Sequence, residues 1–162
     1  MPADSFRHQR CCFAGHRPEK LSVPEEEAKA WMSAQIDCAI DDGYVTFITG
    51  CGMGADIWAA QIVIGKRAHM PSLHLIAATP YPGFGYRWKE PWKTQYIQLL
   101  KNADLVKTLS PRYTEDCLLL RDRWIVDHAS RLIALSADLP GNTLQTIAYA
   151  RESGLEVIHR IA

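Results

Sequence analysis

Short apolar runs alternate with stretches of helical periodicity along this chain, and that alternation restricts the fold more than any other feature. Residues 11–15 (CCFAG) read as a buried strand. Residues 24–42 read as a helix, because Ala28, Trp31, Met32, Gln35, Ile36, Ala39 and Ile40 follow i, i+3, i+4 spacing. Ser22 with Glu25 has the form of a capping box, Pro24 suits a first turn and Gly43 suits a stop. A β-branched and aromatic strand follows at 45–50 (VTFITG), then a helix over 54–68. Residues 72–79 form a third strand, closed by Pro80-Tyr81-Pro82-Gly83, and Pro91 opens a helix whose apolar stripe is Trp92, Tyr96, Leu99 and Leu100. A fourth strand at 104–110, a helix from Thr114 to Ala129 capped by Thr114, and a fifth strand at 131–137 complete the middle. The turn at 140–143 opens a last helix to Ser153, Gly154 ends it, and 156–161 is a sixth strand.

Strand–helix alternation with short links predicts right-handed βαβ units. The expected fold is α/β: a three-layer, Rossmann-like, doubly wound and mostly parallel sheet with helices on both faces. The chain has 162 residues and shows no internal repeat or linker, so one nucleotide-binding-type domain over 1–162 is expected. Ligands of such sheets bind beyond the carboxyl ends of the strands, where the winding reverses. That rule selects the loops at 15–20, 50–56, 80–90, 110–114 and 137–143.

Charge narrows the partners. Eighteen basic and 18 acidic residues cancel. Nothing pulls the whole molecule toward nucleic acid or a membrane, so nucleic acid is not the expected partner, although a local basic pocket is compatible. No apolar run approaches the ~20 residues of a membrane span, and the opening MPADSFRHQR has no apolar h-region. The five cysteines, at 11, 12, 38, 51 and 117, show no C-x-x-C pair and no zinc spacing, so no metal site is expected. Free thiols in a reducing cytoplasm fit them. Cys11 and Cys12 are adjacent in a strand and are expected on opposite faces.

The loop Gly50-Cys51-Gly52-Met53-Gly54-Ala55-Asp56 carries most of the chemistry. Glycines allow positive φ and close approach, and the free N–H groups of the next helix attract an anion. A phosphate or ribose-phosphate site and a plain tight turn both fit. The spacing is neither the dinucleotide G-x-G-x-x-G nor a P-loop. Asp56 in the first helical turn either answers the helix dipole or accepts hydrogen bonds from ribose hydroxyls or base amines. Cys51 is either an activated thiol or a small buried side chain. Gly15 ends the first strand, which puts His16 and Arg17 at the ligand edge. Arg17 has a fork for phosphate, and His16 is an acid, a base or a donor. Trp88, ahead of its helix, is a candidate to stack on a base, whereas Trp92 and Tyr96 suit the core. Arg123 and Asp127 stand i, i+4 on a helix and fit a surface ion pair, while Arg121 near its start can face the pocket. Gly141-Asn142-Thr143 opens another helix at the same edge, as a turn in which Asn142 takes left-handed φ and Thr143 caps, or as the second side of an anion site.

The ordered segments FAGHRPEKL, FITGCGMGADIWAA, YRWKEPWKTQYIQLLKNADLV, LLRDRWIVDHASRLIAL and GNTLQTIAYARESGLEVIHRI resemble the YpsA-like branch of the SLOG superfamily, from about Cys12 to Ile161. That superfamily also holds the DNA-processing protein DprA and the LOG phosphoribohydrolases. The resemblance implies a Rossmann-like domain that binds a nucleotide or nucleotide-derived small molecule, and a homodimer. It assigns ligand binding to Gly15, His16 and Arg17, to Gly50, Gly52, Gly54 and Asp56 with Met53 between them, to Arg121 and Asp127, and to Gly141 and Thr143 with Asn142 between them. Asn142 stands where a second glycine is usual, and Arg131 where an Asp commonly precedes the fifth strand. LOG-type enzymes carry a glutamate in this last turn. Here Gln145 and Thr146 occupy the corresponding stretch, and neither can act as a carboxylate. On this reading Asp56 is the one carboxylate placed in the cleft. Three functions follow as expectations: binding or sensing of a nucleotide derivative or phosphate, N-glycosidic hydrolysis of a nucleoside monophosphate or ADP-ribose-type ligand, and single-stranded DNA binding.

Overall fold

The computed structural model describes residues 6–162; residues 1–5, half of the opening stretch read for a leader, lie outside it. Six strands and five helices alternate: β1 (Arg10–Gly15), α1 (Glu25–Asp41), β2 (Thr46–Thr49), α2 (Ala55–Arg67), β3 (His74–Thr79), α3 (Trp92–Asn102), β4 (Leu105–Thr108), α4 (Cys117–Asp127), β5 (Arg131–Ser136), α5 (Asn142–Glu152) and β6 (Glu156–Ile161). The strands form one sheet in the order β4-β3-β2-β1-β5-β6, and every neighbouring pair is parallel. The expected three-layer α/β fold is present, with no antiparallel strand in this sheet. Successive strands step outward from β1 to β4, and β5 then returns to the other side of β1. Winding therefore reverses at β1, and the carboxyl ends of β1, β2 and β5 meet at the crevice.

The period-2 alternation of strand side chains builds two cores. Cys11, Phe13, Phe47, Leu75 and Leu135 face α1 and α2, whereas Cys12, Ala14, Ile48, Leu132 and Ala134 face α4 and α5. Cys11 and Cys12 do point to opposite faces. In α1 the predicted stripe is buried at Ala28, Met32, Ile36 and Ala39. α2 buries Ala55, Ile57, Trp58, Ala59, Ala60 and Val63, because it lies on the sheet between α1 and α3.

Helix starts depart most from expectation. No side chain caps α1: Pro24 takes the cap position, and Glu25, Glu26 and Glu27 answer the dipole instead of a Ser22 box. Thr114 does not cap α4, which begins only at Cys117; its hydroxyl donates to Asp116 Oδ1 at 2.9 Å. β4 is shorter than predicted and exposed at all four residues, as the edge of the sheet. Arg131 holds the opposite, amino end of the sheet. It is buried over the Tyr44 ring at 4.7 Å, and its Nη2 donates to Asp42 at 2.7 Å and Glu156 at 3.0 Å.

Candidate functional site

At the winding reversal lies a cavity of about 220 Å³. Phe13, Ala14, Gly15 and Arg17 of β1 and its loop line it, with Gly50, Gly52, Met53 and Asp56 from the glycine loop and Phe84 and Trp88 from the loop after β3. α4 contributes Leu118, Arg121, Asp122 and Ile125, and α5 contributes Asn142, Thr143 and Thr146.

The glycine loop is shaped by close approach more than by positive φ. Gly50 and Gly52 have ordinary φ. A Cβ on Gly50 would meet Arg121 Cδ at 3.2 Å, and one on Gly52 would meet Asp56 Oδ2 at 3.0 Å. The left-handed residues are Cys51, at φ 67°, and Gly54, at φ 93°. Cys51 is buried, its amide accepted by Thr49 Oγ1 at 3.3 Å, and burial pushes its thiol pKa up, so the activated-thiol reading fails. The Gly52 amide donates to Asp56 Oδ2 at 3.1 Å. The chain thus places its own carboxylate in the nest at the start of α2. Beyond it, the amides of Met53, Gly54, Ala55 and Asp56 meet no protein acceptor among the described residues.

Asp56 is partly buried, and its Oδ1 is fully buried without a hydrogen-bond partner. The Gly50 amide stands close enough to draw its pKa down but outside hydrogen-bond geometry. Burial dominates and lifts that pKa to about 6; Arg121 opposes the rise and Asp122 adds to it. Arg121, 8 % exposed, donates from Nη1 to the Gly50 carbonyl at 2.7 Å and from Nε to Asp122 Oδ1 at 2.8 Å, with its guanidinium over Phe84 at 5.7 Å. Asp122 Oδ2 accepts from Thr146 Oγ1 at 3.1 Å. Two carboxylates therefore share the cavity, which corrects the expectation that Asp56 is alone there.

At α5, Gly141 takes φ 140° and the cap position, so the positive φ falls on the glycine and Asn142 is already helical. Thr143 makes no side-chain cap. The amides of Asn142, Thr143 and Leu144 meet no protein acceptor among the described residues.

Of the predicted site residues, Gly15, Arg17, Gly50, Gly52, Met53, Asp56, Arg121, Asn142 and Thr143 line the cavity together. Gly54 packs behind it, where a Cβ would meet Pro18 Cδ at 3.0 Å. His16 is buried; its Nδ1 accepts the Ala137 amide at 3.0 Å, and burial lowers its pKa, so it is a neutral ring pinning the β5 exit. Asp127 is exposed and outside the cavity; it accepts from Tyr149 Oη at 2.7 Å, and Arg123 lies over the Tyr149 ring at 5.2 Å, in place of an Arg123–Asp127 pair. Gln145 lies in the groove between α4 and α5. Phe84, Leu118, Asp122 and Ile125 were missed. The i, i+3, i+4, i+7 stripe Leu118-Arg121-Asp122-Ile125 was the available signal for three of them.

The model of the YspA SLOG family matches residues 11–153. The chain belongs to that family. It is 26% identical over 129 residues to a UPF0398 protein of Bacillus velezensis, covering 75% of this chain and 71% of that one. A UPF0398 protein of Halalkalibacterium halodurans is 27% identical over 127 residues, covering 76% and 67%. Among solved structures, DNA processing protein A (DprA) from Streptococcus pneumoniae superposes with a TM-score of 0.62 at 15% identity, over 95% of this chain and 50% of that chain. DprA from Helicobacter pylori superposes with a TM-score of 0.63 at 13% identity, over 97% and 68%. The chain thus spans half the length of the pneumococcal protein, and at these identities the likeness shows the fold. The H. pylori structure concerns that protein's own single-stranded DNA binding mode. Among the described residues, no helix is long and apolar enough to cross a membrane, and no three His, Cys, Asp or Glu side chains cluster to hold a metal.

Proposed function

We propose that the crevice of this SLOG protein binds a nucleotide-derived small molecule in one fixed direction. Its phosphate lies on the free amides of Asn142 and Thr143 with the exposed Arg17 alongside, where no carboxylate occupies the helix start. Its ribose hydroxyls donate to Asp56, and its base lies against Phe84 and Trp88. The observation that carries this reading is Asp56, a carboxylate that lines the open cavity and whose buried Oδ1 has no partner. The glycine loop then reads a neutral polar group, since its own carboxylate repels a phosphate there.

Calorimetry with AMP, NAD and ADP-ribose tests the reading. Binding of at least one, weakened about tenfold by Arg17→Ala, is expected, on the scale of one charge-assisted contact. Flat titrations with all three overturn it.

Asp122 favours a second reading, N-glycosidic hydrolysis. Burial raises the pKa of Asp56, and Asp122, which accepts from Arg121 and Thr146, lines the same cavity, so two carboxyl groups in unlike surroundings face one site. Chromatography for free base and ribose phosphate after incubation with the same ligands decides between binding and turnover. The fold shared with a single-stranded-DNA-binding DprA favours a third, read by salt-dependent binding of oligo(dT).

A further inference from the structure

One hydrogen bond holds the segment that leads into α5. Residues 137–140 leave the end of β5 and reach Gly141, the cap of α5. Among the described residues, the Ala137 amide is the only group of this segment that makes a hydrogen bond, and its acceptor is His16 Nδ1, 3.0 Å away. Ala137 is buried, whereas Asp138, Leu139 and Pro140 are exposed. His16 itself is firmly seated. Its amide donates to the Leu135 carbonyl at 3.3 Å, and its own carbonyl lies against Gly54, where a Cβ would meet it at 3.1 Å. The residue is 6% exposed. A fixed ring on the β1 side of the crevice thus carries a loop on the β5 side.

The direction of that bond fixes the charge of the ring. An amide N–H donates only to a bare ring nitrogen, so Nδ1 carries no proton and the neutral ring keeps its proton on Nε2. Nε2 is buried without a hydrogen-bond partner, although the Leu139 carbonyl stands near enough to favour a proton on the ring. A second proton has to go to Nδ1, where it would face the Ala137 N–H, donor against donor. We infer that His16 is a positioning residue of the crevice: its neutral ring latches the segment before α5, and protonation at Nδ1 releases that segment and with it the anion-receiving end of α5. This rests on the phosphate position proposed there. Burial disfavours the charged ring, Lys20 in the turn after β1 adds to this, and the Leu139 carbonyl opposes both. Release therefore comes on acidification, below the ordinary 6.5. The other charges on the elements packed against the ring are Arg17 and Glu19 on its own turn, the exposed Asp138, and Asp56 at the start of α2, whose carboxylate is turned onto Gly52.

The test titrates the full chain, isotopically labelled at the histidine nitrogens, by NMR while hydrogen exchange is read at the Ala137 amide. Expected are a proton on Nε2 alone in the neutral ring, and protection of Ala137 that falls about tenfold or more as the His16 ring protonates. His16→Asn offers an amide oxygen in place of Nδ1 and does not titrate, so it is expected to keep the protection throughout. Calorimetry with AMP, NAD and ADP-ribose then compares pH 8 with a pH at which the ring is charged. For those that bind, wild-type affinity is expected to fall about tenfold further than that of His16→Asn. Titration of Asp56 and of the phosphate of AMP is common to both proteins. Adenosine, which has no phosphate, is expected to show no such difference. A proton on Nδ1 in the neutral ring, protection indifferent to the titration, or a ring that stays neutral until the chain unfolds overturns the latch, with no ligand and no variant involved. Protection that follows the ring while affinities fall equally in both proteins, or a difference shared by adenosine, overturns the coupling to the anion-receiving end. Flat titrations with AMP, NAD and ADP-ribose at pH 8, with the exchange result as expected, overturn the phosphate position and leave the latch standing.

Discussion

Two helices point their amino ends into the same crevice, and they differ in what meets them. At α2 the chain supplies its own anion: Asp56 sits one residue inside the helix and folds back onto the Gly52 amide. At α5 no acidic residue occupies the first turn, and Gly141 leaves the end bare. The pair teaches that a glycine-rich turn before a helix is not by itself an anion site. What decides is whether a carboxylate of the chain already stands at the turn, as Asp56 does on the Gly52 amide.

Arg121 maintains the difference, and its loss has the largest expected effect. It bonds the loop carbonyl of Gly50 and stands between two carboxylates. Arg121→Met leaves both without a counter-charge. Breaking a buried pair costs about 3–5 kcal/mol, so the urea midpoint is expected to fall steeply; a change under about 1 kcal/mol would show that the loop holds its shape unaided.

Gly15 comes next. It fits between the two halves of the crevice, where a Cβ would stand 2.4 Å from Ala55 Cβ and 2.8 Å from the Leu135 carbonyl oxygen. Both are firm neighbours, one on α2 and one on β5. Gly15→Ala is expected to cost about 2 kcal/mol by overpacking. Near-neutral stability in denaturant would mean that α2 slides freely against β1.

Asp56 sharpens the α2 side through pH. Its folded pKa of about 6 stands above the ordinary 3.8, so the unfolded chain releases its proton first as pH rises. Stability therefore falls between about pH 4 and 6, and above that window the charged, buried carboxylate costs on the order of 2 kcal/mol. Asp56→Asn keeps an oxygen for Gly52 and removes the charge. It is expected to raise the melting temperature at pH 8, with the gain vanishing by pH 4; a gain independent of pH would show that Asp56 titrates as in water. Ligand binding is expected to weaken in the same variant, which is the conflict between stability and function common at binding sites.

How far the sequence foretold this follows from what each signal depends on. Strand and helix order is written in local periodicity, so the elements and the two-faced placement of Cys11 and Cys12 were legible, whereas the order of strands in the sheet, and with it the reversal at β1, depends on pairing between distant segments and was not. Nine of the proposed site residues meet in one cavity because loops at the carboxyl edge must converge there. Orientation was not legible. His16 turns inward to hold Ala137, and the Asp56 carboxylate turns back onto its own loop, because those choices depend on partners distant in sequence or on the shape of the turn. Asp122 was passed over since Arg121-Asp122-Arg123 reads as an ordinary charged helix surface. Only the packing of α4 beside α5, with Thr146 opposite, turns it inward.

The α5 end has the smallest expected effect and the cleanest test. A backbone amide cannot be deleted by an ordinary side-chain change, but Asn142 is the first residue of its helix, the one position where proline is well tolerated. Gly141 before it, at φ 140° and ψ −166°, lies outside the α region that a following proline disfavours. Asn142→Pro therefore removes one N–H from the proposed phosphate position and leaves the helix. Stability is expected to change by less than about 1 kcal/mol, and AMP affinity to fall about tenfold, the loss of one charge-assisted hydrogen bond. Adenosine, which has no phosphate, is expected to bind wild type and variant alike. If the variant loses adenosine as readily as AMP, the phosphate is not at α5. The bare helix end would then have no part in recognition, and the two ends would differ only in how the chain turns into them.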